Sequence, residues 1–334
     1  MKKKNILITG GTGTFGKSFV KHANKLKDVN KIFVYSRDEM KQWDMQIQLK
    51  NKSKKINYII GDVRDFTKLN STIRDNKIDY IVHAAATKIV LSAEYNPDEC
   101  VKTNILGAMN VIDAAKSNNV KKVVALSTDK ASNPINLYGA TKLASDKLFI
   151  SANLNNFSKT SFSVVRYGNV MGSRGSVIPY FISLKNNKNF PITDPKMTRF
   201  MISIADAVKF VLTVIDRSVG GEIFVKKSPS MKIIDIAKAI NNKNSLSIKG
   251  IRAGEKLHEQ MIGHEESQYT YELKNYYIII SPILNKLKYK KILKNSKRVD
   301  KNFEYTSDKN TTWLSQKEFK VWLLEYIKNQ KLLN

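Results

Sequence analysis

Tyr138 and Lys142 stand four residues apart in the run Tyr138-Gly139-Ala140-Thr141-Lys142. On a helix that spacing puts both side chains on one face. An ammonium beside a phenol lowers the phenol's pKa, so the phenolate can take a proton from a hydroxyl while hydride leaves the same carbon. The plain alternative is a surface pair on a lysine-rich helix. Just upstream lies Ser127-Thr128-Asp129-Lys130. A reductase or epimerase needs only a hydroxyl here, and Thr128 offers one. This chain adds a carboxyl and an amine. A carboxylic acid can protonate a departing hydroxyl, and a desolvated lysine can remove a carbon-bound proton next to a ketone. Joined to reversible hydride transfer, that is the equipment for dehydration. Spacing alone leaves an incidental ion pair in a loop equally open.

Hydride transfer needs a carrier. Gly10, Gly13 and Gly16, with Thr12, Thr14 and Phe15 among them, follow an apolar strand and open a helical pattern. Glycines in that context let the backbone approach a pyrophosphate seated on the helix N-terminus. The spacing Gly10-x-x-Gly13-x-x-Gly16 is the form seen in extended short-chain dehydrogenase/reductases. At the end of the next strand, an acidic residue would hold a ribose 2′-hydroxyl and an arginine would accommodate a 2′-phosphate. The chain reads Ser36-Arg37-Asp38, which favours NADP, with Asp38 keeping NAD open. Asp62 and Val63 suit the adenine; a helix-cap role for Asp62 ahead of Asp65 is also open. Ala84, Ala85 and Ala86 are small, as expected where a strand end lies against a cofactor.

The elements that must position these groups follow from the hydrophobic pattern. Strands are expected at 5–8, 31–35, 56–60, 78–82, 121–127 and 161–166, with helical segments between, for example 104–117. Strands alternating with helices mean a parallel sheet covered on both faces. The expectation is an α/β fold: a Rossmann-type doubly wound parallel sheet over 1–170, and a smaller, mainly substrate-binding domain over 171–334 whose elements interleave with the first. Ser315 and Glu318 read as a capping box opening a C-terminal helix with an apolar stripe of Phe319, Trp322, Leu323, Tyr326 and Ile327.

Composition narrows the class. The 334 residues carry 57 basic and 29 acidic side chains, a net charge of +28. The lysines are scattered beside abundant asparagine, with no recognisable nucleic-acid module, so no nucleic-acid partner is expected. Only nine basic residues are arginine, and six of them (Arg37, Arg64, Arg166, Arg174, Arg199, Arg252) fall in the segments assigned to the site. A rigid bidentate fork is what phosphate recognition asks for, and structural ion pairs are the other use for it. No apolar run is long enough to span a membrane. No signal peptide is apparent, and the single Cys100 allows no intrachain disulfide, so the cytoplasm is expected. Nothing has metal-ligand spacing. His83 reads as a buried strand-end histidine; His258 faces either substrate or packing.

The run from Thr128 to Lys142 closely resembles the bacterial UDP-N-acetylglucosamine 4,6-dehydratases, most of all the soluble 5-inverting branch that opens pseudaminic acid biosynthesis. The resemblance extends through Arg166-Tyr167-Gly168-Asn169, Gly172-Ser173-Arg174-Gly175-Ser176-Val177, Ile192-Thr193-Asp194, Met197-Thr198-Arg199-Phe200 and Arg252-Ala253-Gly254-Glu255-Lys256-Leu257-His258-Glu259. It implies that Tyr138 takes the C4 hydroxyl proton as NADP takes the hydride, and that Lys130 removes the C5 proton. It further implies that Asp129 protonates the leaving C6 hydroxyl and that Thr128 hydrogen-bonds the C4 oxygen. Lys88, Asn169, Arg174, Val177, Thr193, Arg199, Arg252 and Glu255 are the implied substrate contacts, for UDP-N-acetylglucosamine, in a homo-oligomer (dimer or hexamer). The chain departs from the family at Ile89 and Leu91, where His and Pro are usual, and at Ala253, usually Pro. A C5-retaining dehydratase, a C4 epimerase and a non-catalytic NADP-binding regulator are the competing readings.

Overall fold

The structure, a computed structural model, describes residues 3–49, 54–154, 159–187 and 189–331. Six strands come first: β1 (Lys4–Thr9), β2 (Val29–Ser36), β3 (Ile56–Ile60), β4 (Tyr80–His83), β5 (Lys122–Leu126) and β6 (Ser161–Arg166). They fall within two residues of the bounds the hydrophobic runs predict. The later strands are β7 (Asn169–Val170), β8 (Asn189–Ile192), β9 (Thr198–Ile202), β10 (Glu222–Lys226), β11 (Ser230–Lys232), β12 (Ser245–Ile248), β13 (Gln260–Ile262), β14 (Thr270–Glu272), β15 (Tyr276–Ile280), β16 (Lys297–Arg298) and β17 (Tyr305–Thr306).

The main sheet has the order β16-β14-β15-β10-β6-β5-β4-β1-β2-β3. From β10 to β3 every neighbour is parallel. The helices Thr14–Ala23 and Ile204–Arg217 pack together, as do Phe66–Asp75, Gly107–Ser117 and Leu137–Ser151, covering the sheet from both sides. That is why Ile6, Leu7 and Ile8 of β1 are all buried rather than alternating. The strand order reverses between β1 and β4, and a ligand crevice opens beyond the carboxyl ends of strands at such a reversal.

The second half of the chain does more than build a separate substrate layer. β10, β14, β15 and β16 extend the main sheet, and Phe224, Val225 and Ile278 join its core. A smaller core holds Ile178, Phe181, Phe190, Met197, Met231, Ile236, Phe319 and Leu323. The C-terminal helix Gln316–Lys331 carries two of these, and Glu318 accepts hydrogen bonds from both the backbone and the hydroxyl of Ser315. Among the described residues no helix is long and apolar enough to cross a membrane.

Candidate active site

A cleft of about 1220 Å³ lies over the strand-order reversal, between the main sheet and the smaller core. Its dinucleotide end is built by the turn after β1. Gly10 has φ +65°, and a Cβ there would lie 2.8 Å from the backbone of Ala85. Glycine is required because the turn is left-handed and touches the end of β4. Gly10, Thr12, Gly13, Thr14, Phe15 and Gly16 line this end, with Ala84, Ala85 and Ala86 opposite. The helix Thr14–Ala23 starts here, its first backbone N–H groups available to an anion.

The end of β2 gives its three polar residues different tasks. Ser36 accepts a hydrogen bond from Gln42. Asp38 caps the helix Glu39–Gln48 by accepting from the Lys41 N–H at 2.9 Å, and it also pairs with the Lys41 ammonium. Arg37 is half-exposed and reaches Asp62 at 3.6 Å. The Asp62 carboxyl is buried enough to be pushed up, yet Arg64 at 2.7 Å and Arg37 hold it below the usual range. Asp65, not Asp62, caps the following helix. Ser36, Arg37, Asp62 and Val63 all line the cleft.

The chemical end is built on the turn Asp129–Ala131 and the helix Leu137–Ser151. Asn136 caps that helix by accepting from the Gly139 N–H at 2.7 Å, while its amide donates to the Gly254 carbonyl, also at 2.7 Å. Gly139 lets the turn lie against the helix: a Cβ there would collide with the Lys130 carbonyl oxygen. Thr128, Lys130, Tyr138 and Lys142 line the cleft. Asp129, 1% exposed, sits behind them. Its Oδ1 accepts from Thr128 at 3.0 Å and from Lys130 at 3.1 Å, while its buried Oδ2 has no partner among the described residues.

The electrostatics differ from the sequence expectation in two places. Burial was expected to free the Lys130 amine. It does pull the ammonium down, but Asp129 and Glu259 outweigh it and the net shift is upward, so Lys130 rests charged. Lys142 was expected to acidify Tyr138. Burial instead pushes the phenol up to about 12, and the cation that opposes this is Lys130, helped by a hydrogen bond with the Thr128 hydroxyl. Lys142 is itself pulled down by burial, with Asp146 opposing. Asp129 is pushed up by burial and by Glu259 against the pull of Lys130, the direction a proton donor needs.

Lys88, Asn169, Arg174, Val177, Thr193, Arg199, Arg252 and Glu255, the expected substrate contacts, all line the same cleft. Their present partners differ. Arg252 pairs with Glu255 at 2.5 Å. Arg199 spends its donors on the carbonyls of Thr198, Lys256 and Leu257. Lys88 donates to the Arg174 carbonyl at 2.8 Å, and the Arg174 N–H donates to Thr14 at 3.3 Å, which latches the 172–176 loop onto the glycine turn. The Arg174 charge acts on Lys17 and Asp38, toward the dinucleotide end rather than the sugar end.

Two of the six arginines fall outside the cleft. Arg64 bridges Asp62 and Glu99, and the fully buried Arg166 pairs with Asp146 and Glu266; both serve the fold. His83 is buried against Thr9 at 2.9 Å, and His258 bonds Thr198 at 2.8 Å. The sequence reading passed over Glu259 as a site residue. It is 2% exposed, lines the cleft and meets Lys130 at 2.9 Å. Its place at the end of the Arg252–Glu259 run was visible, but nothing local pairs it with a residue so distant in sequence. Among the described residues no cluster of His, Cys, Asp or Glu could hold a metal ion.

Residues 6–281 match the polysaccharide biosynthesis protein family. The chain belongs to that family. It is 53% identical to the UDP-N-acetylglucosamine 4,6-dehydratase (inverting) of Campylobacter jejuni over 333 residues, 97% of each chain. It is 44% identical to the UDP-glucose 4-epimerase of Rickettsia bellii, with 98% of each chain covered. The X-ray structure of Pen from Bacillus thuringiensis superposes with a TM-score of 0.88 at 38% identity, covering 99% of each chain. These relatives are named for two kinds of nucleotide-sugar chemistry, a dehydration and an epimerisation.

Proposed function

We propose that this chain is an inverting UDP-N-acetylglucosamine 4,6-dehydratase that works with NADP. The observation that carries this reading is the buried acid-base group of Asp129 and Lys130, in contact with each other beside Tyr138. The 53% identity to an inverting dehydratase over nearly the whole chain supports it. The glycine turn, the alanines at the end of β4, Arg37 and Asp62 fit a dinucleotide, and they are the residues that would hold it. When bound, the cofactor supplies a hydride acceptor at C4 and, once reduced, a hydride donor at C6. Asp38 is engaged as a helix cap, which leaves Arg37 as the half-exposed side chain at the end of β2 and supports NADP over NAD.

The chain's own residues then handle the protons. Tyr138 takes the C4 hydroxyl proton, helped by the Lys130 charge and the Thr128 hydroxyl. The C4 ketone acidifies C5–H, which Lys130 removes. Asp129, its carboxyl pushed up by burial, protonates the departing C6 hydroxyl. C5 then takes a solvent-derived proton from the opposite face, in balance with the one that Tyr138 took from the C4 hydroxyl and releases to solvent, which gives a UDP-4-keto-6-deoxy-L-arabino-hexosamine. Arg252, Glu255 and Asn169 hold UDP, and Arg199, its donors taken by the carbonyls of Thr198, Lys256 and Leu257, braces the segment that carries them. The setting we infer is a cytoplasmic homo-oligomer feeding pseudaminic acid synthesis.

The second reading, a 4-epimerase, is favoured by the 44% identity to the Rickettsia bellii enzyme. Incubation with UDP-N-acetylglucosamine in deuterated water separates the two. A dehydratase turns over without added NADP and yields a 6-deoxy-4-keto sugar with deuterium at C5. An epimerase keeps the C6 hydroxyl and leaves C5 unexchanged.

A further inference from the structure

Glu259 has no part in the scheme above, yet it has the least ordinary surroundings in the cleft. It is buried, Oε1 sits 2.9 Å from the Lys130 ammonium and 3.6 Å from Arg199 Nε, and Oε2 is buried with no hydrogen-bond partner among the described residues. Its backbone is pinned as well: the N–H donates to Ser307 at 2.9 Å, and Arg199 ties down the carbonyls of Lys256 and Leu257 just upstream. Lys130 therefore lies between two carboxyls, Asp129 from its own turn and Glu259 from the segment entering β13. Arg199 and Lys256 add positive charge from the Glu259 side, and Tyr138 faces the group from the helix Leu137–Ser151. The two carboxyls are unequal. Asp129 is pushed up, while Glu259 is held down by Lys130 and Arg199 despite its burial.

This arrangement poses a chemical problem. A lysine held as an ammonium cannot remove a proton from C5 until it loses one of its own. We propose that Glu259 is the positioning residue that solves it: it holds the Lys130 ammonium in place and takes up one of its protons when the C5 step begins. One N–H bond of Lys130 breaks and one O–H bond forms on Glu259, so a buried ion pair becomes a buried neutral pair with no change in net charge. The freed amine takes the C5 proton and is an ammonium again. It passes that proton on through Asp129, 3.1 Å away, and the borrowed proton returns from Glu259. No proton is gained or lost over the cycle. While Lys130 is still charged, the same contact keeps it where it acidifies Tyr138 for the first step.

The inference rests on the dehydratase reading, and Glu259→Gln tests it. Glutamine keeps the size but cannot take a proton. We expect normal cofactor binding, a retained transient of reduced cofactor on mixing with UDP-N-acetylglucosamine, and C5 deuterium exchange slowed about 100-fold. The residual exchange should climb with pH, because Lys130 loses the Glu259 carboxylate that helps keep it protonated. Glu259→Asp keeps the charge and should retain the wild-type pH profile at a lower rate. A folded Glu259→Gln enzyme with wild-type exchange and pH profile would reduce Glu259 to packing. If that variant does not fold, Glu259→Asp decides, since a wild-type exchange rate from a carboxylate too short for the 2.9 Å contact also overturns the proposal. A wild-type enzyme that expels no water from UDP-N-acetylglucosamine counts against the functional reading instead.

Discussion

Arg37 and Asp38 are neighbours with opposite charges, and their local hydrogen bonding decides which of them faces a cofactor. Asp38 is consumed by the first turn of its helix, whereas Arg37 is held only by a 3.6 Å contact with Asp62. Arg37→Ala is therefore expected to weaken NADP about tenfold or more, the scale of one lost charge-assisted phosphate contact, and to change NAD little. Titration of both cofactors checks this; equal losses for the two would assign Arg37 to the fold. His83 gives a second residue-scale outcome. Burial and the nearby Lys142 charge hold its imidazole down to about 3, so it is neutral in the folded state. In the unfolded chain it takes a proton near 6.5. Its contribution to stability is complete above that value and is lost as pH falls from about 6.5 toward 3, at up to about 1.4 kcal/mol per pH unit. Denaturation midpoints measured across that window should fall, and His83→Asn should flatten part of the slope.

At the scale of elements, the proposed reaction centre is a joint between a short turn and a helix. The turn Asp129–Ala131 carries the proposed acid and base, and the helix Leu137–Ser151 carries the proposed phenol. Gly139 sets their separation. Gly139→Ala would favour helix by propensity, yet its methyl meets the Lys130 carbonyl. The expected outcome is a net loss of about 1–3 kcal/mol from overpacking, seen in thermal or denaturant unfolding. Turnover should fall more than cofactor affinity, because the displaced turn carries no part of the glycine cradle. A variant with raised stability and normal turnover would show that the turn can yield.

For the whole molecule, the C-terminal helix returns across the chain to complete the smaller core. Phe319 and Leu323 enter that core, and the Tyr326 ring packs against Gly172, at the root of the loop latched to the glycine turn. Truncation after Ser315 removes two buried apolar side chains, each worth about 2–5 kcal/mol. It also frees that loop. We expect early proteolysis within 171–200 and a loss of sugar-nucleotide affinity that exceeds the loss of NADP affinity, since the glycine cradle belongs to the main-sheet core. Parallel loss of both ligands would mean that the two cores unfold as one unit.

Much of this was legible in the chain because it is local. Apolar runs marked β1 to β6, glycine spacing marked the turn at one end of the cleft, and Tyr138 with Lys142 marked the helix that lines the other; each rests on contacts within a few residues. Even the capping box of Ser315 and Glu318 could be read directly. Partners distant in sequence could not. β10 was not among the strands expected from the apolar runs, and only its pairing with β6 and β15 makes it part of the main sheet. For Arg64 and Arg166 phosphate binding and structural ion pairing stood equally open until Glu99, Asp146 and Glu266 arrived from other elements. The charge state of Lys130 was the furthest from view. Burial pulls an ammonium down and carboxylates pull it up, so its direction depends on how many carboxylates lie within a few ångströms. Sequence supplied Asp129 beside it; only the fold brought Glu259 across 129 positions to 2.9 Å and added its pull to that of Asp129 against burial.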